Sequence, residues 1–226
     1  MCGRYSFAPD LKIVNEHYDI KVSDSKIEPN YNCAPTQLLP VISNDAPGSL
    51  GNFRWGLIPF WAKDKSIGNK LINARAETIS EKPSLRTSFK RRRCLVPADA
   101  FYEWRKDEFS KKKIPYRIFL KDQPLFSMAG IWDQWKNPEG ETIRTFSIIT
   151  TSPNELMAEI HNRMPVIVPM KSEKLWLEST DQKQLIDMLQ PFPAKLMDAY
   201  RISDLVNSPR NNSVEMTKMF RLLESN

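Results

Sequence analysis

The sequence predicts an α+β fold in which helices flank an antiparallel β-sheet or barrel. The first observation is a series of β-branched and aromatic segments between residues 94 and 151, separated by turn residues and by no helical pattern. Successive strands without intervening helices are typical of antiparallel sheets and barrels. The second observation is helical periodicity and capping on both sides of this region. The chain has 226 residues, 41% of them hydrophobic, and no repeat or linker, so one domain is expected.

Turn residues and residue composition place the strands in order along the chain. A hairpin is predicted from a strand over 38–43, a turn over 44–48 and a second strand over 52–58, whereas 31–36 is interpreted as a loop. The central strands are predicted over residues 94–97, 101–105, 116–121, 126–135 and 142–151.

Helices are predicted on either side of these strands. Residues 9–18 carry apolar side chains on one helical face, and residues 76–93 are expected to be helical in pieces, interrupted at Pro83. Ser152 is a candidate N-cap, with Pro153 at the first helical position and Glu155 at the third, for a helix that reaches residue 160 or 161. Further helices are expected over 172–178 and 181–190, followed by an irregular tail over 206–224.

Composition and charge exclude several classes of protein. The chain contains no run of about 18 apolar residues and no signal-peptide pattern, so a cytoplasmic protein is expected. Three irregularly spaced cysteines and two histidines predict neither a disulfide framework nor a metal centre, and no nucleotide-binding or cofactor motif is present. The net charge of +6 favours a polyanionic partner, nucleic acid first. The basic runs 90–93 and 111–113 are interpreted as solvated faces.

Cys2 directly follows the initiator methionine, and this position gives it an unusual chemical option. Removal of Met1 would leave an α-amine and a thiol on one residue, with ordinary pKa values of about 7.7–8.0 and 8.5. Such a pair attacks an aldehyde twice, first through nitrogen to form an imine and then through sulfur to close a thiazolidine ring. The alternative interpretation, favoured by position alone, is that Cys2 belongs to a frayed terminus.

Three polar residues are further candidates for chemistry. Glu103 stands among aromatic residues in a predicted strand, where partial desolvation suits a general acid; the alternative is an exposed ion pair with Arg105. His161 is placed at a predicted helix C-terminus, as a proton carrier or as a cap favoured in its cationic form. Asn73 offers both a donor and an acceptor, although an ordinary loop asparagine would look the same.

The aromatic segment 55–61 and several isolated arginines are the candidates for binding. Trp55 and Trp61 form a rigid aromatic surface or a core plug, and the core is the default interpretation. Bases of single-stranded nucleic acid commonly stack on such rings. Arg4, Arg75 and Arg163 stand beside aromatic residues, amides or prolines, where a planar guanidinium suits phosphate.

Four separated segments together resemble one family. They are Met1-Cys2-Gly3-Arg4-Tyr5, the stretch 73–77 (NARAE), the stretch 94–104 (CLVPADAFYEW) and the stretch 159–166 (EIHNRMPV), supported by 31–36 (YNCAPT) and 206–211 (VNSPRN). Their joint order and spacing resemble the SOS response-associated peptidase (SRAP) family over essentially the whole chain. The resemblance implies a single α+β domain, residues 1–226, built on a curved, barrel-like antiparallel sheet with flanking helices.

The same resemblance implies that the protein binds single-stranded DNA containing an abasic site and traps the exposed aldehyde. It implies Cys2 as nucleophile with Asn73, Glu103 and His161 around it, no cofactor and a monomeric protein. The implied DNA-binding residues are Arg4, Arg75, Arg163, Trp55, Trp61, Asn32 and Pro40. Family members commonly carry Gly at position 100 and Asp at position 162, where this chain has Ala100 and Asn162.

Two other functions remain open from the sequence. One is a cysteine-type peptidase that acts on other proteins, and the other is a non-catalytic single-strand binder in which Cys2 is incidental. Self-catalysed removal of Met1 and a lyase side reaction, in which the imine eliminates phosphate, are further expectations from the resemblance.

Overall fold

The computed structural model describes residues 2–22 and 27–220, and in these residues short helices surround two β-sheets. The strands are β1 (Tyr5–Phe7), β2 (Asn30–Cys33), β3 (Leu38–Ser43), β4 (Gly51–Trp55), β5 (Asn73–Arg75), β6 (Arg93–Ala98), β7 (Ala100–Lys106), β8 (Lys113–Leu120), β9 (Phe126–Lys136), β10 (Thr142–Thr151), β11 (Met164–Pro165), β12 (Ile167–Val168) and β13 (Met197–Arg201). The α-helices are α1 (Leu11–Tyr18), α2 (Arg86–Arg91), α3 (Glu155–Ala158), α4 (Glu173–Glu178) and α5 (Gln182–Asp187).

The first sheet is antiparallel and has the order β13-β8-β7-β1-β2. Strand β1 lies between two neighbours: Tyr5 is opposite Cys33 of β2 on one side and Phe101 of β7 on the other. All three residues of β1 are buried. The beginning of the chain is therefore built into the middle of a sheet.

The second sheet closes on itself. Strands β4, β3, β6 and β9 follow one another, and β10 pairs with both β4 and β9, which completes a five-stranded barrel. Strand β10 runs parallel to β4 and to β5, whereas the other pairs are antiparallel. The barrel-like antiparallel sheet expected from the sequence is observed as a mixed barrel with two parallel pairs, because composition predicts strands but not their partners.

A core of aromatic and branched side chains fills the interior. Trp55 packs against Tyr5 with ring centroids 5.3 Å apart and stacks on Phe146 at 6.1 Å. Gly130 on β9 allows the neighbouring strand to approach, since a Cβ at this position would meet Cys94 Sγ at 2.7 Å. Cys94 thus serves as a small apolar packing residue.

The strands predicted from composition agree closely with the observed ones, and the missed strands are short. Segment 31–36, interpreted as a loop, begins with β2, and the strands β1, β5, β11, β12 and β13 were not expected. They have two to five residues, and apart from β11, which pairs with β10, their partners are far away in sequence. So short a segment carries too few alternations to reveal its periodicity.

The predicted helices are shorter in the structure. Asn154, not Ser152, is the N-cap of α3, since its side chain accepts from the N–H of Met157 at 2.9 Å, and the helix ends at Ala158. Region 76–93 contains a 3-10 turn (Ala76–Thr78) and α2, as expected for helical pieces, and α5 stops at Asp187. The tail forms two 3-10 turns, Asp204–Asn207 and Val214–Thr217; its predicted end, 221–224, lies outside the described residues.

The basic run 90–93 is not a uniform solvated face. Arg91 is exposed, but Arg93 is 2% exposed and donates to five backbone carbonyls. These belong to Phe89 and Lys90 of α2, to Trp176 and Leu177 of α4, and to Ser179. Because helix C-termini leave carbonyls without partners, one guanidinium here satisfies two helix ends and joins them to β6.

Candidate functional site

Cys2 lies in the core, three residues before β1. Its exposed fraction is 0%, its thiol donates to the carbonyl of Arg4 at 3.9 Å, and its own carbonyl accepts from Asn73 Nδ2 at 2.8 Å. The interpretation of Cys2 as part of a frayed terminus is therefore wrong. Met1 lies outside the described residues.

Asn73 is the first residue of β5, paired with Ile148 of β10 at the rim of the barrel. The amide nitrogen of Asn73, Nδ2, donates to the Cys2 carbonyl. The amide oxygen, Oδ1, is shielded from solvent and has no hydrogen-bond partner among the described residues. A buried acceptor without a partner costs stability, so it is a feature that calls for an explanation in function.

Glu103 and His161 face a common groove. The cavity has a volume of about 740 Å³ and is lined by Glu103, Trp104, Lys106, Lys113, Ile160, His161, Asn162 and Asn207. Glu103 is 2% exposed, whereas Arg105 is exposed and lies over the Tyr116 ring at 5.0 Å. The interpretation of Glu103 as an exposed partner of Arg105 is therefore wrong.

The thiol and the carboxyl influence each other. Burial raises the pKa of Glu103 above its ordinary value, because an ionised carboxylate is poorly solvated there. Burial also raises the pKa of the Cys2 thiol, and the negative charge of Glu103 raises it further. This electrostatic influence means that Cys2 and Glu103 are near each other, and Asn73 is joined to Cys2 by a hydrogen bond. All four residues expected in the site therefore lie together.

His161 follows α3 after one further turn, and its backbone N–H donates to the carbonyl of Met157 at 2.7 Å. Its ring does not cap the helix: Nδ1 accepts from the backbone N–H of Arg163 at 3.1 Å. Burial lowers the pKa of His161, and the positive charge of Lys113 acts in the same direction. The expectation of a cation stabilised by the helix C-terminus is therefore wrong, since the environment favours the neutral ring.

The three arginines expected to contact phosphate differ in what they already bind. Arg75 is exposed and has no ion pair among the described residues. Arg4 is half-buried and donates to Asn32 Oδ1 at 2.9 Å and to the carbonyl of Val206 at 3.2 Å. Arg163 makes a two-point ion pair with Glu77, at 2.6 and 3.0 Å. Of these three arginines, Arg75 is the one whose guanidinium is not bound by a side chain in the described part of the chain.

The remaining residues expected to bind DNA are dispersed. Trp55 has an exposed fraction of 0% and donates to the carbonyl of Ile72 at 2.8 Å, whereas Trp61 is 51% exposed. Asn32 is 1% exposed, and its amide donates to the carbonyls of Ser208 and Asn211, both at 2.9 Å. Pro40 lines a separate groove with Asn52 and Asn212. Thus Trp61 presents its ring to solvent, while Trp55 and Asn32 act inside the fold.

Sequence reasoning missed part of the groove. Trp104 lines it and donates from its indole nitrogen to Asn207 Oδ1 at 2.8 Å, while Lys106 and Lys113 are opposite each other across β7 and β8. The position of Trp104 next to Glu103 was an available signal. The lysines could not be assigned, because their proximity depends on the register of a hairpin.

In the part of the chain that the structure describes, no group of three or more His, Cys, Asp or Glu residues could hold a metal ion. No helix there has the length and hydrophobicity to cross a bilayer.

The fold and the site define a class of protein: a mixed barrel with flanking sheet that buries a cysteine from the beginning of its chain beside a carboxyl, an amide and a basic groove. The chain belongs to the SOS response associated peptidase (SRAP) family, whose model matches residues 1–209. The chain is 49% identical over 221 residues to the abasic site processing protein YoqW of Bacillus subtilis (strain 168), covering 96% of this chain and 98% of that protein. The family expected from the sequence motifs is thereby confirmed.

Two further comparisons agree. The abasic site processing protein HMCES of Xenopus tropicalis is 32% identical over 224 residues, which cover 84% of this chain and 66% of that protein. A crystal structure of a protein from Bacteroides thetaiotaomicron superposes with a TM-score of 0.87 at 35% identity, covering 97% of this chain and 100% of the other. The predicted α+β fold is confirmed.

Proposed function

We propose that this protein, once Met1 has been removed, traps abasic sites in single-stranded DNA as a covalent adduct on Cys2. The observation that carries the proposal is the hydrogen bond of 2.8 Å from Asn73 Nδ2 to the carbonyl of the buried Cys2, whose thiol pKa is raised in part by the charge of Glu103. Relatives at 45–49% identity are named abasic site processing proteins, which supports a DNA lesion as the substrate.

The proposed reaction balances with one water released. The Cys2 amine attacks the C1′ aldehyde of the open abasic sugar, and the carbinolamine loses water to give an imine. The thiol sulfur then adds to the imine carbon, and its proton ends on the nitrogen, which closes the thiazolidine ring. Because burial raises the pKa of the Cys2 thiol, a base must take its proton as sulfur attacks, and the imine nitrogen is the base at hand.

The neighbouring groups supply protons and orientation. Glu103, whose pKa is raised by burial, gives a proton to the ring oxygen as the sugar opens and to the departing hydroxyl. Asn73 Oδ1, which has no partner among the described residues, accepts from the Cys2 amine. The neutral ring of His161 donates from Nε2 toward the sugar, because its Nδ1 is already an acceptor.

The groove suits a single strand of DNA. Lys106 and Lys113 place positive charge along it, and Trp104 offers an aromatic edge. Arg75, outside the groove lining, is exposed and available for a phosphate contact. An unpaired, flexible strand presents the C1′ aldehyde to the buried Cys2 more readily than a stacked duplex does. The imine that forms before ring closure would also allow elimination of the 3′ phosphate, which would be a lyase side reaction.

The test uses the purified protein and a single-stranded oligonucleotide with one abasic site. Intact mass should show a chain lacking one methionine residue and, after incubation, that chain plus the oligonucleotide minus one water. The adduct should survive a denaturing gel and high salt, whereas a non-catalytic binder would release the strand as salt rises. An unmodified chain under these conditions contradicts the proposal. Cleavage of a peptide panel without DNA would instead support a peptidase.

Replacing Glu103 with Gln should alter the pH profile of capture. In the wild type the rate should rise as the amine loses its proton and fall as Glu103 ionises, a bell-shaped dependence. Because the folded-state pKa of Glu103 is raised, its neutral acid persists above the ordinary value of about 4.3. Glu103→Gln should lower the rate about 10²-fold and remove the high-pH limb.

The same change has a stability signature. For a carboxyl with a raised pKa, the native state favours the protonated form, so stability falls as pH rises through the folded-state pKa. Glu103→Gln should remove this fall in the thermal midpoint, measured by calorimetry across pH. The exposed Glu108→Gln serves as the control and should leave both profiles unchanged. Identical pH profiles for wild type and Glu103→Gln would exclude the acid role.

A further inference from the structure

The contacts of Arg163 distinguish it from Arg4 and Arg75. Its two terminal nitrogens bind both carboxylate oxygens of Glu77 at 2.6 and 3.0 Å, and one of them also donates to the carbonyl of Thr150 at 2.6 Å. The Arg163 side chain is 16% exposed, and Glu77 is 50% exposed. A planar guanidinium held at three points by partners from different elements has little freedom to reorient.

Because the Arg163 side chain is held at three points, the backbone of Arg163 is held in place as well, and this backbone contacts His161. The N–H of Arg163 donates to Nδ1 of His161 at 3.1 Å. Protonation of Nδ1 would place two N–H groups face to face, so this contact requires an Nδ1 without a proton. The neutral ring then carries its proton on Nε2. One bond from a neighbouring residue therefore selects one of the two neutral forms of imidazole.

We propose that Glu77 is a positioning residue which, through its two-point ion pair with Arg163, holds the Arg163 N–H against His161 Nδ1 and so keeps His161 in its Nε2–H form toward the groove. Glu77 lies in the 3-10 turn directly after β5, and Arg163 directly precedes β11. The pair therefore joins the strand that carries Asn73 to the segment that carries His161. Arg163 serves this purpose in place of binding a phosphate.

The proposal can be tested on the free protein, because the chain has only two histidines, His17 and His161. Long-range ¹H–¹⁵N spectra of the imidazoles distinguish the two neutral forms and follow the titration of each ring. The absence of one set of signals in His161→Gln assigns the other set to His17. Three charged groups, Glu103, Lys106 and Lys113, line the groove with His161 and remain the same in every variant compared.

We expect the wild-type ring to be in the Nε2–H form at pH 7.5. Glu77→Gln, which keeps the length of the side chain but loses one acceptor and the charge, should give a mixture of the two forms. Glu77→Asp, which keeps the carboxylate, should restore the wild-type form in part. The matched control is Glu81→Gln, an exposed residue four positions further along, which removes the same charge and should leave the spectrum unchanged. An unchanged His161 spectrum in Glu77→Gln overturns the proposal.

A second measurement rests on the proposed function and is separable from the first. Glu77→Gln should slow capture of the abasic strand about tenfold, as expected when a proton donor is misplaced but not removed. A changed spectrum with an unchanged rate would leave the positioning role intact and count against His161 in the reaction. Tighter binding of an undamaged strand with an unchanged spectrum would instead mean that Glu77 merely masks Arg163, and would overturn the proposal.

Discussion

Cys2→Ala should abolish the covalent adduct, the largest effect that we expect from any single substitution. The alanine variant keeps a small residue after Met1, and the amine it exposes can form only a reversible imine. The thiol that closes the ring is missing, so the product should disappear from a denaturing gel. Adding borohydride should recover a band from Cys2→Ala, because reduction converts the imine into a stable amine.

Two further variants distinguish the role of the Cys2 thiol from that of its amine and from a general effect of replacing a buried cysteine. Cys2→Ser should behave like Cys2→Ala on the gel, since a hydroxyl adds to an imine less favourably than sulfur does. Cys94→Ala is the matched control: Cys94 is also fully buried, but it packs against Gly130 inside the barrel. It should form the adduct at the wild-type rate. A durable adduct in Cys2→Ala without borohydride would contradict the thiazolidine mechanism.

Arg93→Leu should cause the largest loss of stability. The substitution leaves five carbonyls at the ends of α2 and α4 without their donor, three of them in buried and two in partly buried hydrogen bonds. Hydrogen bonds to charged groups contribute about 1.5–3 kcal/mol each, but they are not additive when one side chain makes them all. We expect the free energy of unfolding to fall by roughly 3–5 kcal/mol, measured by chemical denaturation.

The neighbouring arginine provides the comparison. Arg91→Leu removes the same charge and a side chain of the same kind from an exposed position, so its effect should stay within about 0.5 kcal/mol. Arg93→Lys should lie between the two, because an ammonium has three donors where the guanidinium has five. Equal losses for Arg91→Leu and Arg93→Leu would show that the lost charge, and not the lost hydrogen bonds to the five carbonyls, determines the fall in the free energy of unfolding.

The difference between these two arginines illustrates what the sequence could predict about the fold. Long strands such as β9 and β10 were predicted because ten or more residues display their composition. The burial of Arg93 was not, because it depends on two helix ends that meet only in the folded chain. The parallel pairing of β10 with β4 and β5 was missed for the same reason, since partners are chosen by the whole sheet and not by a segment.

The site was predicted from chemistry and motif together, and its supports were not. Cys2, Glu103 and His161 each carry a reactive group in an unusual local sequence, and Asn73 belongs to a motif that pointed to the same family. The partner of Arg163 could not be found, because Glu77 is 86 residues away and looks like an ordinary helix-start acid. Trp55 shows why a local aromatic cluster is ambiguous: its ring is buried against Tyr5 and Phe146, the core position that the sequence favoured by default.

The central position of β1 has a consequence for biosynthesis. Its partner β7 begins at Ala100, so about a hundred residues must leave the ribosome before β1 is flanked on both sides. At typical elongation rates of about 5–20 residues per second, the first residues stay accessible for several seconds. An aminopeptidase that acts on nascent chains therefore has time to remove Met1 before the sheet closes over the new terminus.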